Sequence, residues 1–500
     1  MKKNCLLFLT FIIVVFFSMS IVSASASYID ENNSDHGTND INVFDNTNNI
    51  IINNTNNNIN NNTNNNNTSI NNINNNTNNN NTRINNTSDN ISINNNNNNN
   101  YFTDIYVGLS GNDNLGDGSQ DNPYKSLKKA INEASNNSNI YILSGEYFGE
   151  NNTKMIIDKT ITISGIIGDN GTVMFNGERK YDFFEVTPNG KLTLINITFY
   201  QGNNSGEEFI AGAIFNNGEL IIKNCIFEFN TGLRGGAILN NGKLDVIGSI
   251  FKNNNGTNYG GGITNFNTAI IIDSVFIGNI AKSGSSIFND GNLTILSSNF
   301  TSNNIMGVNW ENRNNNIFMN SSNINSDISV SNHTIKILNS SCANVGITDC
   351  NLSVNSSTLS VSPTNSTVNI TYSVITGGSI YNYMNNNNIS AEYNWWLSNY
   401  GPVIYSGNTN YFNSQKYWII AVFVSDYGSS IPSKNTNVTL KVIFKYTDGV
   451  NVWDLPEGVK IPYRSLYLQT DNGYFNNDSG ILCGNIFTTY YLNNSEDTLV

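Results

Sequence analysis

Charge, histidine, cysteine and long apolar runs are all scarce in this chain, and each shortage removes a class of function. Asp, Glu, Lys and Arg make up only 12% of the 500 residues, with a formal net charge of -13. Such a surface repels nucleic acid and anionic lipid, so neither is expected as a partner. The two histidines, His36 and His333, lie far apart, which leaves little for a metal centre or an imidazole acid–base site. Among the five cysteines, Cys5 falls in the N-terminal leader, and Cys225, Cys342, Cys350 and Cys483 show no disulfide framework. Cys342 and Cys350 are near enough in sequence to close a loop, but their spacing suits neither a metal clip nor a redox pair. Cys225 reads as a buried thiol. Stability must come from stacking, not staples.

The one long apolar run, Leu6 to Met19, follows Met1-Lys2-Lys3 and precedes Ala24-Ser25-Ala26. Basic head, apolar core and A-x-A site mark residues 1–26 as a secretory signal cut after Ala26. The run is shorter than the roughly 20 residues of a spanning helix, so the mature chain is expected to be secreted, extracellular or at the cell surface. Within residues 27–103, the stretch 32–100 is mostly asparagine broken by Ile, Thr and Ser. They cannot bury a core and read as a disordered spacer, although drift in an AT-rich genome explains such a tract equally well. Sequons such as Asn203-Asn204-Ser205 fall in loops, but chance supplies many in so asparagine-rich a chain.

A repeat is what the chain has in abundance. Ile214, Ile238, Ile263 and Ile287 open four units, and Phe227, Phe251, Phe276 and Phe300 close them, both series stepping by 24, 25 and 24 residues. Within each unit the apolar residues alternate, as in Leu220 and Ile222, Leu244 and Val246, Ala269 and Ile271, Leu293 and Ile295, which is the period of strand and not of helix. A constant period of this size predicts a solenoid whose rungs cannot bury a core alone. Strand-sized pieces make it a parallel β-helix with rungs about 4.8 Å apart. The column Cys225, Ser249, Ser274, Ser298 reads as small residues in a tapering interior. Asn216, Asn240, Asn265, Asn289 and Asn230, Asn254, Asn279, Asn303 read as corners that adopt the left-handed backbone and hydrogen-bond between rungs. Gly212, Gly236 and Gly261 read as bends without a side chain.

The array extends beyond its clearest copies, since Leu192, Leu194, Ile197 and Phe199 obey the same rule upstream. Leu127, Ala130, Ile131 and Ala134 recur at helical spacing, predicting a short helix over 124–135 that caps the first rung. After residue 305 the repeat blurs, yet strand-like pieces persist to Tyr393-Asn394-Trp395-Trp396-Leu397, and Gly401-Pro402 ends the array. The β-helix is thus placed at 104–410. Trp395 and Trp396 read either as a platform for sugar rings or as a hydrophobic plug closing the last rung. Longer alternating strands after Trp418, separated by turns such as Asp471-Asn472-Gly473, predict an Ig-like β-sandwich over 411–500, complete or cut short at Val500. The expected fold class is all-β: a parallel β-helix with an N-terminal helical cap, followed by a sandwich.

Gly236-Ala237-Ile238 with Phe251-Lys252-Asn253-Asn254 resembles the repeat of chlamydial polymorphic outer-membrane proteins. The layout from about residue 104 onward, including Asn394-Trp395-Trp396 to Gly401-Pro402, is similar to adhesin-like surface proteins of methanogenic archaea. The resemblance implies a right-handed, pectate-lyase-like β-helix, a bacterial-type Ig-like domain, and contact with other cells or host glycans. Neither an autotransporter barrel nor a pseudomurein-binding repeat is present in the sequence, so how the protein associates with the envelope is left open.

Catalysis is not expected. Glycoside hydrolysis needs two converging carboxylates, and Glu219, Asp245, Asp273 and Asp290 occupy different columns or lack an acidic neighbour on both sides. No catalytic residue and no cofactor is assigned. Asp113, Asp117 and Asp121 are evenly spaced in a glycine-rich turn; calcium there and a plain solvated turn are the two readings, and no metal is assigned. The expectation is an adhesin whose partners are cell-surface or host glycans or other surface proteins. A polysaccharide lyase or hydrolase, and a passive envelope scaffold, are the alternatives.

Overall fold

A computed structural model of the chain describes residues 104–397, except 167–170, 205–210, 302–303, 309–314, 377–379 and 381–386. Beyond these it describes 399, 416–425, 437–459, 461–462 and the strands 464–467, 473–475, 479–482 and 486–492. The leader with its Ala26 site, the spacer, Asn303, Cys483 and the Gly401-Pro402 boundary lie outside the described residues.

Alternation in sequence becomes alternation in burial. In the strand Glu219–Lys223, Leu220 and Ile222 are fully buried while their neighbours face outward. This strand pairs in parallel with Lys191–Ile195 on one side and Lys243–Ile247 on the other, placing Leu192, Leu220 and Leu244 in one column. Continued, the pairing builds a sheet of 13 strands from Asp104–Val107 to Asn388–Ser390, which at about 4.8 Å per step is about 58 Å long. Ile214, Ile238, Ile263 and Ile287 align in a second stack. Phe227, Phe251, Phe276 and Phe300 align in a third. Among the described residues a fourth side is formed mid-array, where Asn203–Asn204, Thr231–Arg234, Asn255–Tyr259 and Ile280–Ser283 make a four-stranded sheet. The chain is a parallel β-helix, as its repeat requires.

After residue 305 the repeat shortens instead of fading. The serine column continues through Ser298, Ser322, Ser340, Ser357 and Ser373 with steps of 24, 18, 17 and 16 residues. Strand Asn323–Ser331 pairs with both Asn299–Thr301 and Ile305–Gly307, so two sides of the wide rung merge into one bulged strand. The part lost is the fourth strand and its glycine loop, which carries the most recognisable letters of the motif.

The corners differ from what residue type suggests. The stacked asparagines are not the left-handed residues. Neither Asn216, Asn240, Asn265 and Asn289 nor the residues just ahead of them are left-handed, whereas before Asn230, Asn254 and Asn279 the left-handed residues stand one position earlier, at Phe229, Asn253 and Gly278 (φ 56°, 54° and 61°). The same holds before the small column, at Asn224, Gly248, Asp273 and Ser297. That column is a hydrogen-bond ladder, not an accommodation to taper. The backbone N–H of Ser249 donates to Ser274 Oγ and that of Ser274 to Ser298 Oγ, each at 3.1 Å. Ser249 Oγ and Ser274 Oγ donate in turn to the carbonyls of Ile247 and Ile272 at 2.9 and 2.7 Å, so buried corner groups are satisfied by the next rung. The expected amide ladder is present: Asn216 Nδ2 donates to Asn240 Oδ1 at 2.6 Å, Asn240 to Asn265 and Asn265 to Asn289 at 2.7 Å. Gly236 serves close approach, not a bend, because a Cβ there would lie 2.1 Å from the Gly261 carbonyl oxygen.

The cap helix is shorter than expected, Leu127–Glu133, and Ser126 Oγ caps it by accepting from the Lys129 N–H. Leu127, Ala130 and Ile131 pack into the solenoid core. At the other end, strand Trp418–Ser425 pairs antiparallel with Asn437–Thr447 in a five-stranded sheet, beside a two-stranded one. This C-terminal sheet grows directly from the solenoid. Tyr393 N–H donates to the Tyr417 carbonyl at 2.9 Å, and Ile419 N–H to the Asn394 carbonyl at 3.0 Å.

Candidate functional site

The inward columns are consumed by stacking, which leaves the outward faces and corners as the surface available to any ligand. One corner column reads Gln201, Phe229, Asn253, Gly278, all left-handed. Glycine and asparagine tolerate that backbone, whereas for phenylalanine it is strained by roughly 1–2 kcal/mol. Phe229 is also 43% exposed and meets Tyr200 edge to face at 5.9 Å. Beside it opens a cleft of about 300 Å3 lined by Arg179, Gly202, Asn203, Phe229, Thr231 and Asn253. Four successive rungs contribute. The turn ahead of Arg179 is unusual too, with Glu178 and Arg179 both at φ 56°.

Asn203 is held at this cleft by its amide, which donates to the Arg179 carbonyl at 2.8 Å, and by its N–H, which donates to the Tyr181 carbonyl at 3.0 Å. Its Oδ1 is buried and accepts no hydrogen bond. Next to it, Asn204 Nδ2 donates to Asp182 Oδ2 at 2.9 Å. Burial pushes the Asp182 carboxyl above its usual value despite that bond and the charge of Lys154. Lys154 and Lys180 lie 5.1 and 4.6 Å from the Tyr181 ring.

The residues singled out from sequence are placed as follows. Trp395 and Trp396 are 8% and 1% exposed. Trp396 joins the solenoid core, and Trp395 packs against Phe444 at 4.9 Å in a small core with Val374, Ile419 and Ile461. These rings close the last rung and present no open face to a sugar. A surface row of tyrosines lies nearby: Tyr372 stacks on Tyr393 at 5.6 Å and Tyr393 on Tyr417 at 5.3 Å, so their faces are covered by each other.

Asp113 Oδ1 accepts from the N–H groups of Lys125 and Ser126 at 2.8 and 2.9 Å, and Asp117 Oδ1 from that of Ser119 at 2.9 Å. Burial raises the Asp113 pKa, but the bonds from Ser126 and Lys125 outweigh it and hold the carboxyl below its usual value. Both carboxylates therefore organise the turn. Among the described residues no three of His, Cys, Asp and Glu gather. Cys225, Cys342 and Cys350 are buried free thiols, so the loop closure between Cys342 and Cys350 is not made. Burial pushes the thiols of Cys225 and Cys342 up to about 12.

Sequence reasoning passed over the cleft because its corner column, Gln201, Phe229, Asn253 and Gly278, keeps a backbone conformation and not a residue type. One signal was available: Phe229 is the bulky exception among Gln201, Asn253 and Gly278. Compared with known proteins, the chain matches no family model and no curated sequence.

Proposed function

We propose that this is an adhesin-like protein of the cell surface, a β-helix that presents an outer-corner site to glycans or to other surface proteins, with an Ig-like tail as spacer or partner module. The resemblance to archaeal adhesin-like proteins supports the reading, and so does a weakly charged sequence with a secretory-type leader and many hydrogen-bonding side chains. The observation that carries it is the division of labour around the rung. Inward columns and corner ladders are taken up by rung-to-rung contacts, while the cleft at Arg179, Asn203 and Phe229 presents an exposed cationic side chain and an exposed aromatic ring. Glycan-array binding together with an assay for reducing ends and unsaturated products tests this. Binding without turnover supports it. Absence of any glycan or cell binding, with retention in purified walls, favours a passive scaffold instead.

A polysaccharide lyase or hydrolase is the second reading, favoured by one feature. Asp182 is a partly buried carboxyl of raised pKa beside the cleft, a condition that suits a general acid. If that reading holds, Asp182→Asn abolishes product formation while sugar binding survives. If no product forms with the unaltered protein, it is excluded for the substrates tried.

A further inference from the structure

Among the cavities, buried titratable groups and exposed patches of the described residues, the cleft around Phe229 combines the most features that stacking of rungs does not explain. Phe229 occupies a left-handed corner that the next two rungs give to Asn253 and Gly278. A bulky side chain held there against its backbone preference, and left 43% exposed, gains nothing for the solenoid core; backbone strain of this kind collects at functional positions. Asn203 lines the same cleft, its amide fixed by the bond it donates to the Arg179 carbonyl at 2.8 Å. Arg179 reaches the cleft from a turn with two consecutive left-handed residues, is exposed, and forms no ion pair among the described residues.

From this combination we propose that the cleft binds a sugar residue that carries a carboxylate. The guanidinium of Arg179 matches a carboxylate in a two-point fashion. The Phe229 ring supplies an apolar face for the C–H side of the sugar. Asn203, Thr231 and Asn253 complete the lining with polar side chains. A volume of about 300 Å3 suits one or two sugar units, at the lower end of small-ligand sites. Since the whole chain carries a net charge of -13, long-range attraction does not draw an anion in. The acid group must then be recognised by direct contact, and Arg179 is the residue placed to make it.

This rests on the glycan-contact reading, and the experiment separates the two. Binding of the full chain is measured by calorimetric titration with sialyllactose and a glucuronate oligosaccharide, and with their neutral counterparts, lactose and the carboxyl-reduced oligosaccharide. At least one acidic probe is expected to bind ten times or more tighter than its neutral counterpart. Arg179→Ala is expected to remove that preference, and Arg179→Lys to restore only part of it. Phe229→Asn, which copies the next rung, is expected to cut affinity at least tenfold while the melting temperature stays level or rises. Equal binding of acidic and neutral probes, or acidic binding indifferent to Arg179 and Phe229, overturns the proposal and leaves glycan contact standing elsewhere on the molecule. Failure of both acidic probes to bind overturns it as well, and absence of binding to any glycan on an array removes the broader reading with it.

Discussion

Ser274 settles two buried backbone groups at once, accepting from the Ser249 N–H and donating to the Ile272 carbonyl. Its removal strands the donor in a corner that water does not reach. Ser274→Ala is therefore expected to lower stability by roughly 1–3 kcal/mol in chemical denaturation. Ser274→Cys should cost less, because Cys225 already fills that column and bonds the Lys223 carbonyl through Sγ. A neutral alanine would show that the ladder contributes geometry without energy. His333 makes a different residue-scale argument. Its Nδ1 lies 2.7 Å from the Ser331 carbonyl oxygen, which only accepts, so Nδ1 holds the proton and Nε2 faces the Asn289 amide at 3.4 Å. Burial lowers its pKa from 6.5, opposed by the Ser331 carbonyl and the charge of Asp290. The unfolded chain then takes up the proton first as pH falls. Stability present above about 6.5 is expected to decline as pH drops through that value toward the lower folded pKa. His333→Asn should flatten this decline, while the loss from Asp113 and Glu219, both lowered from ordinary values of 3.8 and 4.5, stays at more acid pH. Melting temperatures between pH 7 and 5 decide it, and identical slopes for the two proteins would exclude His333 as the source.

At the scale of the element, the phenylalanine stack shows how a column stabilises a rung. Phe199, Phe227, Phe251, Phe276 and Phe300 lie 4.6 to 5.0 Å apart between ring centres, and from Phe227 onward the planes tilt by 7° or less. Phe251→Ala opens a gap between two rings that cannot close without bending both neighbouring rungs, so a loss of roughly 3–5 kcal/mol is expected. Phe251→Leu should recover part of it, and hydrogen exchange should report the damage in adjacent rungs first, since solenoid stability is a nearest-neighbour sum. These columns were legible in the sequence because period, burial and pairing register are one fact seen three ways: residues 24 or 25 apart must be alike if each packs on the next. The shortened rungs were less legible. Serine recurs there at 18, 17 and 16 residues, and a changing period defeats any fixed spacing even though the same corner persists. Corner geometry was misassigned for a simpler reason. Asparagine has two uses, left-handed backbone and amide stacking, and only the fold reveals that neighbouring positions divide them. The cleft was hidden because its corner column keeps a left-handed backbone while the residue type changes from rung to rung.

For the whole molecule, the junction between solenoid and C-terminal sheet determines whether the two behave as one. Besides the paired strands, Asn399 Nδ2 donates to the Ala421 carbonyl at 3.0 Å, and its Oδ1 accepts from the Ala421 N–H at 2.9 Å. Trp418 Nε1 donates to the Asn399 carbonyl at 3.1 Å, and Tyr417 stacks on Tyr393 with planes 7° apart. A single asparagine thus ties the first C-terminal strand through both of its amide groups, next to a Trp395 and Phe444 contact that spans the same boundary. Elements joined by continuous backbone pairing and a shared apolar core unfold together, whereas modules on a free linker unfold separately. Calorimetry is accordingly expected to show one transition for the last rungs and the C-terminal sheet. Asn399→Ala removes both side-chain bonds without altering either core, and should split that transition or shift its lower-melting part down by several degrees. Two transitions already present in the unaltered protein would mean that the bonds at the junction fix orientation and carry little cooperativity. A single, coupled body has a functional consequence: whatever the C-terminal sheet is fastened to, the outer corners of the solenoid would be presented in a fixed direction.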